Sequence, residues 1–371
     1  MSTGHEGSPE RPSSHRLWPA LLVSCLLVTS GIWLLFPVGK TPLATESPSS
    51  APTQSAAPAP QTAPLPLVAC GGGNDSSVGW AGRTLCNSVD RATHGRLKLT
   101  YAPHGTLQGQ QYDELSLIHE VQSGHVAMAI VSGAPLSNVD PDYEIFDLPF
   151  LFKVDADMDR ALDGPLGNKL LSGLESCDLK GLGFLDLGYR IFATSTPMPT
   201  LADFKNKRLR VMQTAAGISM AHLMGCEPVP APAGRSVRMS KNGYIDAADR
   251  TFAGASRSYE TSPYITETHH THSVKVLLAN RRWFSKLPED CQSAMIAALP
   301  DIEKEQRERQ RAENDRARQQ CVAHGVKIFV LPPEERERFH QLCQPIYGEF
   351  ERLRGPSLLE EVHRAQASSA P

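Results

Sequence analysis

From residue 67 to about 367, short apolar runs alternate with longer amphipathic ones, and this alternation limits the folds open to the chain. The strand-like run RLKLTYA at 96–102 separates helix-like stretches at 77–91 and 110–123. The run VAMAIV at 126–131 is continuously apolar, as in strands that are buried on both faces. This order of strands and helices predicts an α/β fold with a largely parallel sheet.

The second half of this region repeats the pattern. Strand-like runs lie at 181–193, 208–212 and 274–279, and helix-like runs lie at 215–224, 236–242 and 301–324. The last run carries ten Arg, Lys or Glu among 24 residues, so we expect a mostly exposed helix that restarts after Pro300. Two sets of strands, each with its own helices, predict two lobes with a cleft between them.

The segment that precedes this region is unlike it. Leu17 to Phe36 gives 20 residues without a formal charge, and a helix of that length spans roughly the 30 Å apolar core of a bilayer. Arg11 and Arg16 precede the run and only Lys40 follows closely, which predicts a cytoplasmic N-terminus and an exported remainder. The length of the run favours an uncleaved transmembrane anchor, and a cleaved signal peptide is the alternative.

A tether that cannot form a core comes next. Residues 37–66 hold 8 of the 29 prolines among Ala, Ser and Thr, a composition typical of extended chain. The 371-residue chain less its first 66 residues leaves 305, enough for two lobes. We therefore predict a cytoplasmic or signal n-region at 1–16, an anchor or signal h-region at 17–36, a linker at 37–66, lobe I at 67–187 and 275–315, lobe II at 188–274 and 316–355, and a tail at 356–371.

Composition and motifs argue against several classes of function. The formal net charge is −3, whereas a nucleic-acid scaffold normally carries a basic excess. The sequence contains no G-x-S-x-G, Walker or H-E-x-x-H motif, and its eight cysteines form no C-x-x-C pair, so we expect no enzyme and no cofactor. His269, His270 and His272 lack further ligands at a suitable spacing and are interpreted as surface or hinge residues rather than a metal site.

Two arginines are the most informative polar residues. Arg190 lies inside an apolar strand-like run, and Arg210 alternates with Leu209 and Val211. A buried arginine needs an anion, and its planar guanidinium suits a carboxylate or a phosphate. This chemistry predicts an anion bound between two lobes or, as the alternative, an ion pair with an Asp or Glu of the chain itself.

Several segments resemble one known family. Residues 144–152 (EIFDLPFLF), 201–211 (LADFKNKRLRV) and 243–249 (GYIDAAD) are similar to signatures of the solute-binding proteins of TRAP (tripartite ATP-independent periplasmic) transporters. Further matches follow in order at Tyr259-Glu260, Tyr264, Thr266, Thr268, His270, Trp283 and Leu287-Pro288-Glu289. The resemblance extends over about residues 65–350.

The resemblance implies a two-lobed, periplasmic-binding-protein-like α/β fold that closes on a small organic acid, usually a mono- or dicarboxylate, and delivers it to a membrane permease. It implies that Arg210 binds the ligand carboxylate and that Arg190 occupies a second cleft position. Asn74 and Ser132 correspond to pocket edges. At Arg250 the family frequently has an uncharged polar residue, so a cleft-facing Arg250 implies a ligand more anionic than a monocarboxylate.

We therefore expect a periplasmic solute receptor, tied to the inner membrane by residues 17–36, whose partners are a small organic acid and a TRAP permease, with no nucleic acid. The alternative is a membrane-tethered ligand-sensing or adaptor protein on the same fold that no longer feeds a permease.

Overall fold

The computed structural model of the chain describes residues 65–70 and 72–367. The predicted n-region, the predicted anchor and nearly all of the predicted linker lie outside these residues. Within the described ranges, no helix is both long and apolar enough to cross a membrane.

Two of the strands are long, and the others are short. The strands are β1 Leu65–Ala69, β2 Leu99–Ala102, β3 Thr106–Leu107, β4 Gln110–Gln111, β5 Met128–Ser132, β6 Leu179–Thr194, β7 Arg208–Val211, β8 Glu227–Pro230, β9 Ala247–Thr251, β10 Tyr264–Glu267, β11 His272–Asn280 and β12 Lys327–Val330. The 16-residue β6 and the 9-residue β11 are the long ones.

Helices cover the sheet and join its strands. They are α1 Ser77–Ala92, α2 Glu114–Ser123, α3 Gly133–Leu136, α4 Asp155–Asp163, α5 Pro165–Gly173, α6 Ala215–Leu223, α7 Ala233–Lys241, α8 Phe252–Ala255, α9 Arg281–Lys286, α10 Glu289–Ala297, α11 Leu299–Ala323, α12 Pro333–Arg354 and α13 Ser357–Ala367. Single turns of 3-10 helix lie at Pro103–Gly105, Leu174–Cys177 and Leu201–Phe204, and a longer one at Pro141–Asp147.

The sheet is mixed, which corrects the expectation of a largely parallel one. The strand order is β2-β1-β5-β11-β6-β9-β7-β8, with β10 pairing both β6 and β12. Pairs on the two sides are parallel, such as β1 with β5 and β7 with β9. The two long central strands are antiparallel to each other and to β5 and β9. Apolar runs predict strands but carry no information about direction, so the pattern could not show this reversal.

Strand β6 connects two halves of the sheet. Its first part pairs with β11 up to Tyr189, and its last part, from Arg190, pairs with β9 and β10. At the transition Gly188 has a φ of 85°, and the β6–β11 register shifts. Helix α11 supports this point, because Asn314 donates to the carbonyl of Leu187 at 3.0 Å. The β6–β11 pairing is thus irregular where β6 passes from one half of the sheet to the other.

Most helix predictions are confirmed, and one boundary is wrong. Helix α7 ends at Lys241, followed by Gly243 with a φ of 67°, and α11 starts afresh with Pro300 in its first turn. The predicted helix at 110–123 begins only at Glu114. Gln110–Gln111 instead pairs with Thr106–Leu107 in a small hairpin, and the side chain of Asp113 caps α2 by accepting from the Ser116 N–H.

Candidate functional site

Arg210 on β7 is buried, with 1% of its surface exposed, and no carboxylate of the described residues lies within ion-pair distance of it. Its Nε donates to the carbonyl of Ala231 at 2.8 Å and its Nη1 to the carbonyl of Asp249 at 2.9 Å. Its Nη2 donates to the Ala231 carbonyl at 2.5 Å and also contacts the weakly accepting sulfur of Met212 at 3.1 Å. Three of the five N–H donors of the guanidinium bond to carbonyl oxygens, so two remain available for a stronger acceptor: one without a contact among the described residues and one that contacts only the Met212 sulfur.

The charge on Arg210 is held in an unfavourable setting. Burial, together with the charges of Arg190 and Arg250, lowers the pKa of Arg210 to about 9. The guanidinium therefore remains protonated at neutral pH. A buried cation without a paired anion is costly, so this arrangement favours an anion from outside the chain.

Arg190 on β6 has the partner that Arg210 lacks. Its Nε donates to Asp249 Oδ1 at 2.5 Å, its Nη2 to the Asp249 carbonyl at 3.1 Å, and its Nη1 to Ser273 Oγ at 3.1 Å. Burial would raise the pKa of Asp249, but the charges and hydrogen bonds of Arg190 and His270 together outweigh burial and hold that pKa well below its ordinary value. Arg190 therefore forms the internal ion pair that the sequence left open as an alternative. Arg210 forms no such pair among the described residues.

Arg250 on β9 lies close to Arg210. The parallel register pairs Arg210 with Ala248, and side chains two residues apart share a strand face, so Arg250 projects from the same face as Arg210. Its exposure is 6%, and its Nη1 donates to Ser258 Oγ at 2.5 Å. Its buried Nε and Nη2 have no hydrogen-bond partner among the described residues. Burial lowers the pKa of Arg250 to about 10, and the charge of Arg257 adds to this effect.

Asp147 supplies an unusual carboxyl beside these arginines. It ends the 3-10 helix Pro141–Asp147, and its buried Oδ2 accepts no hydrogen bond from residues 65–70 or 72–367. Burial raises the pKa of Asp147 to about 7, against the opposing charges of Arg190 and Arg210. At neutral pH a substantial fraction of this side chain is therefore uncharged.

A second charged group comes from the other half of the sheet. Lys275 on β11 is buried and donates to Glu114 Oε1 at 2.6 Å and to the Cys70 carbonyl at 2.5 Å. Glu114 Oε1 also accepts from the N–H and the hydroxyl of Ser132, each at 2.8 Å. The charge of Glu114 raises the pKa of Arg190 and opposes the lowering of the pKa of Arg210. The Lys275–Glu114 pair therefore lies close enough to Arg190 and Arg210 for their charges to interact.

The predicted site residues thus differ in placement. Arg190 and Arg250 both lie close enough to Arg210, around β9, for their charges to lower its pKa. Ser132 donates two hydrogen bonds to Glu114, and the charge of Glu114 acts on Arg190 and Arg210. Asn74 stands apart, because it is exposed and its carbonyl accepts from Arg83 of the adjoining helix α1.

The predicted surface or hinge histidines are mostly buried. His270 packs against Phe192 with 4.3 Å between ring centroids, and its Nε2 lies 3.4 Å from Asp249 Oδ1. His272 Nε2 on β11 lies 2.7 Å from Asp186 Oδ1 on the neighbouring strand β6. Only His269 is partly exposed. The described residues contain no group of His, Cys, Asp or Glu that could hold a metal ion.

Sequence reasoning missed Asp147, Asp249 and Lys275. Lys275 had a usable signal, since it is the one charge in the apolar run VKVLLA, as Arg190 is in its own strand. Asp147 lies within the segment EIFDLPFLF, and the resemblance of this segment to the family does not by itself single out the carboxyl group. Asp249 adjoins Arg250 in sequence, but its pairing with Arg190 depends on the β6–β9 register.

Comparison with known proteins places this geometry in a family. A family model described as "Bacterial extracellular solute-binding protein, family 7" matches residues 72–353. A "Solute-binding protein" of Chromohalobacter salexigens is 28% identical over 294 residues, covering 78% of this chain and 86% of the relative. The "C4-dicarboxylate-binding periplasmic protein DctP" of Vibrio cholerae is 24% identical over 285 residues, covering 76% and 84%.

Solved structures agree. The sugar acid binding protein DctPAm of Advenella mimigardefordensis, in complex with galactonate, superposes with a TM-score of 0.75 at 28% identity. The match covers 81% of this chain and 99% of that protein, which confirms the two-lobed α/β fold. The family and these relatives are solute-binding proteins rather than enzymes, as predicted. The chain belongs to family 7 of the bacterial extracellular solute-binding proteins, the solute receptors of TRAP transporters.

Proposed function

We propose that this protein captures a small organic anion in the periplasm through Arg210 and supplies it to the membrane permease of a TRAP transporter. The observation that carries the proposal is the state of Arg210, a buried guanidinium with no carboxylate partner among the described residues and with N–H donors to spare. A ligand carboxylate would accept those donors and neutralise the charge.

Lobe closure is the proposed mechanism. We propose that the two halves of the sheet are the lobes and that they move about the crossing near Gly188 and Ser273, where the β6–β11 register is irregular. Closing would bring Ser132, Glu114 and Lys275 against the arginines and exclude water. Exclusion of water strengthens the attraction between a guanidinium and a carboxylate, so a bound acid would favour the closed state.

The ligands of the relatives support an acid. The names of the related proteins mention galactonate and C4-dicarboxylates, which share a carboxylate but differ in the rest of the molecule. The shared carboxylate fits Arg210, and the other residues of the site would contact the part of the ligand that differs between relatives.

A ligand screen tests the proposal. Purified full-length protein is heated with a panel of mono- and dicarboxylic acids, and at least one acid is expected to raise the melting temperature. Arg210→Gln is expected to abolish that shift. Arg208→Gln on the same strand is the matched control, because Arg208 is paired with Asp246 and should leave the shift intact. The proposal fails if no acid stabilises the wild type or if Arg210→Gln responds like the control.

The anchor-like run at 17–36 and the linker at 37–66 favour one second candidate, a tethered sensing or adaptor protein on the same fold. It would bind the same acid but stay in the membrane. Salt washing of membranes separates the two: retention of the full-length chain supports tethering, and release of a chain that lacks residues 1–36 supports a freely diffusing receptor.

A further inference from the structure

We infer that Arg250 binds a second anionic group of the same ligand, so that the site selects acids carboxylated at both ends over the corresponding monocarboxylates. This inference rests on the proposed function. It adds a residue that determines specificity and narrows the ligand class.

The balance of buried charge is the first support. Arg190 is neutralised by Asp249, and Lys275 is neutralised by Glu114, at 2.5 and 2.6 Å. Arg210 and Arg250 remain, and no carboxylate of the described residues pairs with either. The nearby carboxyl of Asp147 forms an ion pair with neither arginine, and its buried Oδ2 has no hydrogen-bond partner among the described residues. Two uncompensated cations on one face of the sheet match a ligand with two negative charges.

The contacts of Arg250 are the second support. Within the part of the chain that the structure describes, its buried Nε and Nη2 atoms have no acceptor, and its one side-chain hydrogen bond goes to the neutral hydroxyl of Ser258. Water cannot replace an acceptor freely at 6% exposure, so the donors await a group that enters the site. Arg257 on the following loop is exposed and adds only like charge.

Hydroxyl groups of a sugar acid are the competing acceptors. They could accept from Arg250 but would leave its charge uncompensated, whereas a carboxylate would accept two N–H donors and neutralise it. The experiment must therefore keep the other hydroxyl groups constant while a carboxylate replaces the uncharged terminal group.

Two matched ligand pairs do this. Galactonate and galactarate differ only in the oxidation of the last carbon, and butyrate and succinate form the same contrast in a short chain without hydroxyls. Calorimetric titration of the full-length protein is expected to show the diacid of at least one pair binding about 10- to 100-fold more tightly than its monoacid.

Variants assign the preference to the residue. Arg250→Asn should bring diacid and monoacid within about threefold of each other, mainly by weakening the diacid. Arg250→Lys should keep most of the preference. Arg257→Asn removes a nearby charge outside the buried site and should leave the preference unchanged. Retained monoacid binding by Arg250→Asn shows that the variant is folded.

The possible failures are distinct. If no acid binds the wild type, the proposed function itself is wrong. If acids bind and Arg210→Gln abolishes binding, but the wild type does not distinguish diacid from monoacid, only the role of Arg250 is overturned. A diacid preference that survives in Arg250→Asn overturns it equally.

Discussion

At the scale of single residues, three buried arginines that look alike in sequence have different roles in the charge balance. Arg190 holds Asp249 in an ion pair, whereas Arg210 and Arg250 do not pair with a carboxylate of the described residues. A paired cation stabilises the fold by satisfying a buried carboxylate. An unpaired buried cation lowers the stability of the ligand-free protein, and a bound anionic ligand would offset that loss.

This difference predicts opposite effects of the same substitution on the free energy of unfolding. Arg250→Met should stabilise the ligand-free protein by about 1–3 kcal/mol, because it removes a buried group with unmet donors. Arg190→Met should destabilise it by about 3–5 kcal/mol, because it leaves Asp249 buried without its cation. Urea denaturation of the ligand-free proteins measures both. Equal losses in the two variants would contradict this account of the charges.

Asp147 predicts a pH dependence. Its pKa is raised from the ordinary value of 3.8 to about 7, so its protonated form contributes stability below pH 3.8 that is lost as the pH rises through 7. Ionised Asp147 would also repel an anionic ligand, so affinity should fall between pH 6 and pH 8. In Asp147→Asn the affinity should be nearly constant over that range, as measured by calorimetric titration.

Glu303 provides the control for this prediction. Burial raises its pKa to about 7 as well, but Glu303 lies on α11, where it accepts from the Phe184 N–H. Glu303→Gln should alter the pH dependence of stability and leave the pH dependence of affinity in place. A ligand affinity that still falls with pH in Asp147→Asn would show that another group is responsible.

At the scale of secondary-structure elements, the local sequence predicted which helices and strands form better than it predicted how they are arranged. The strand-like run at 181–193 anticipated β6, and the helix-like run that stops at 242 anticipated the end of α7, because both depend on nearby residues. The antiparallel course of β6 and β11 depends on pairing between remote segments, and so does the crossing of β6 between the two halves. Such pairing leaves no periodicity to detect.

The crossing predicts a sensitive glycine. Gly188 has a φ of 85°, and a Cβ there would collide with the side-chain amide of Asn314. Gly188→Ala should lower the free energy of unfolding by about 1–3 kcal/mol, through backbone strain and displacement of Asn314. Gly243→Ala isolates the strain, because its φ of 67° is similar and nothing lies within 4 Å of the added Cβ. Equal losses on urea denaturation would contradict a role for Asn314 at the crossing.

At the scale of the whole molecule, the sequence predicted that Arg190 and Arg210 are buried but not how their charges are balanced. Isolated arginines in strands pointed to an anion. The carboxylates that decide which arginines are free come from distant segments, Asp147 before α4 and Asp249 on β9. Their pairing follows from the tertiary fold, so the distinction between Arg190 and Arg210 could be made only in three dimensions.

We propose that Arg210 binds the carboxylate of a ligand between two lobes, and a crystal structure of the protein with the acid found by the screen would show this contact. We expect a ligand carboxylate oxygen about 2.7–2.9 Å from an Nη atom of Arg210, with residues from both halves of the sheet around it. A ligand bound elsewhere, with Arg210 still bonded only to the carbonyls of Ala231 and Asp249 and the sulfur of Met212, would contradict it.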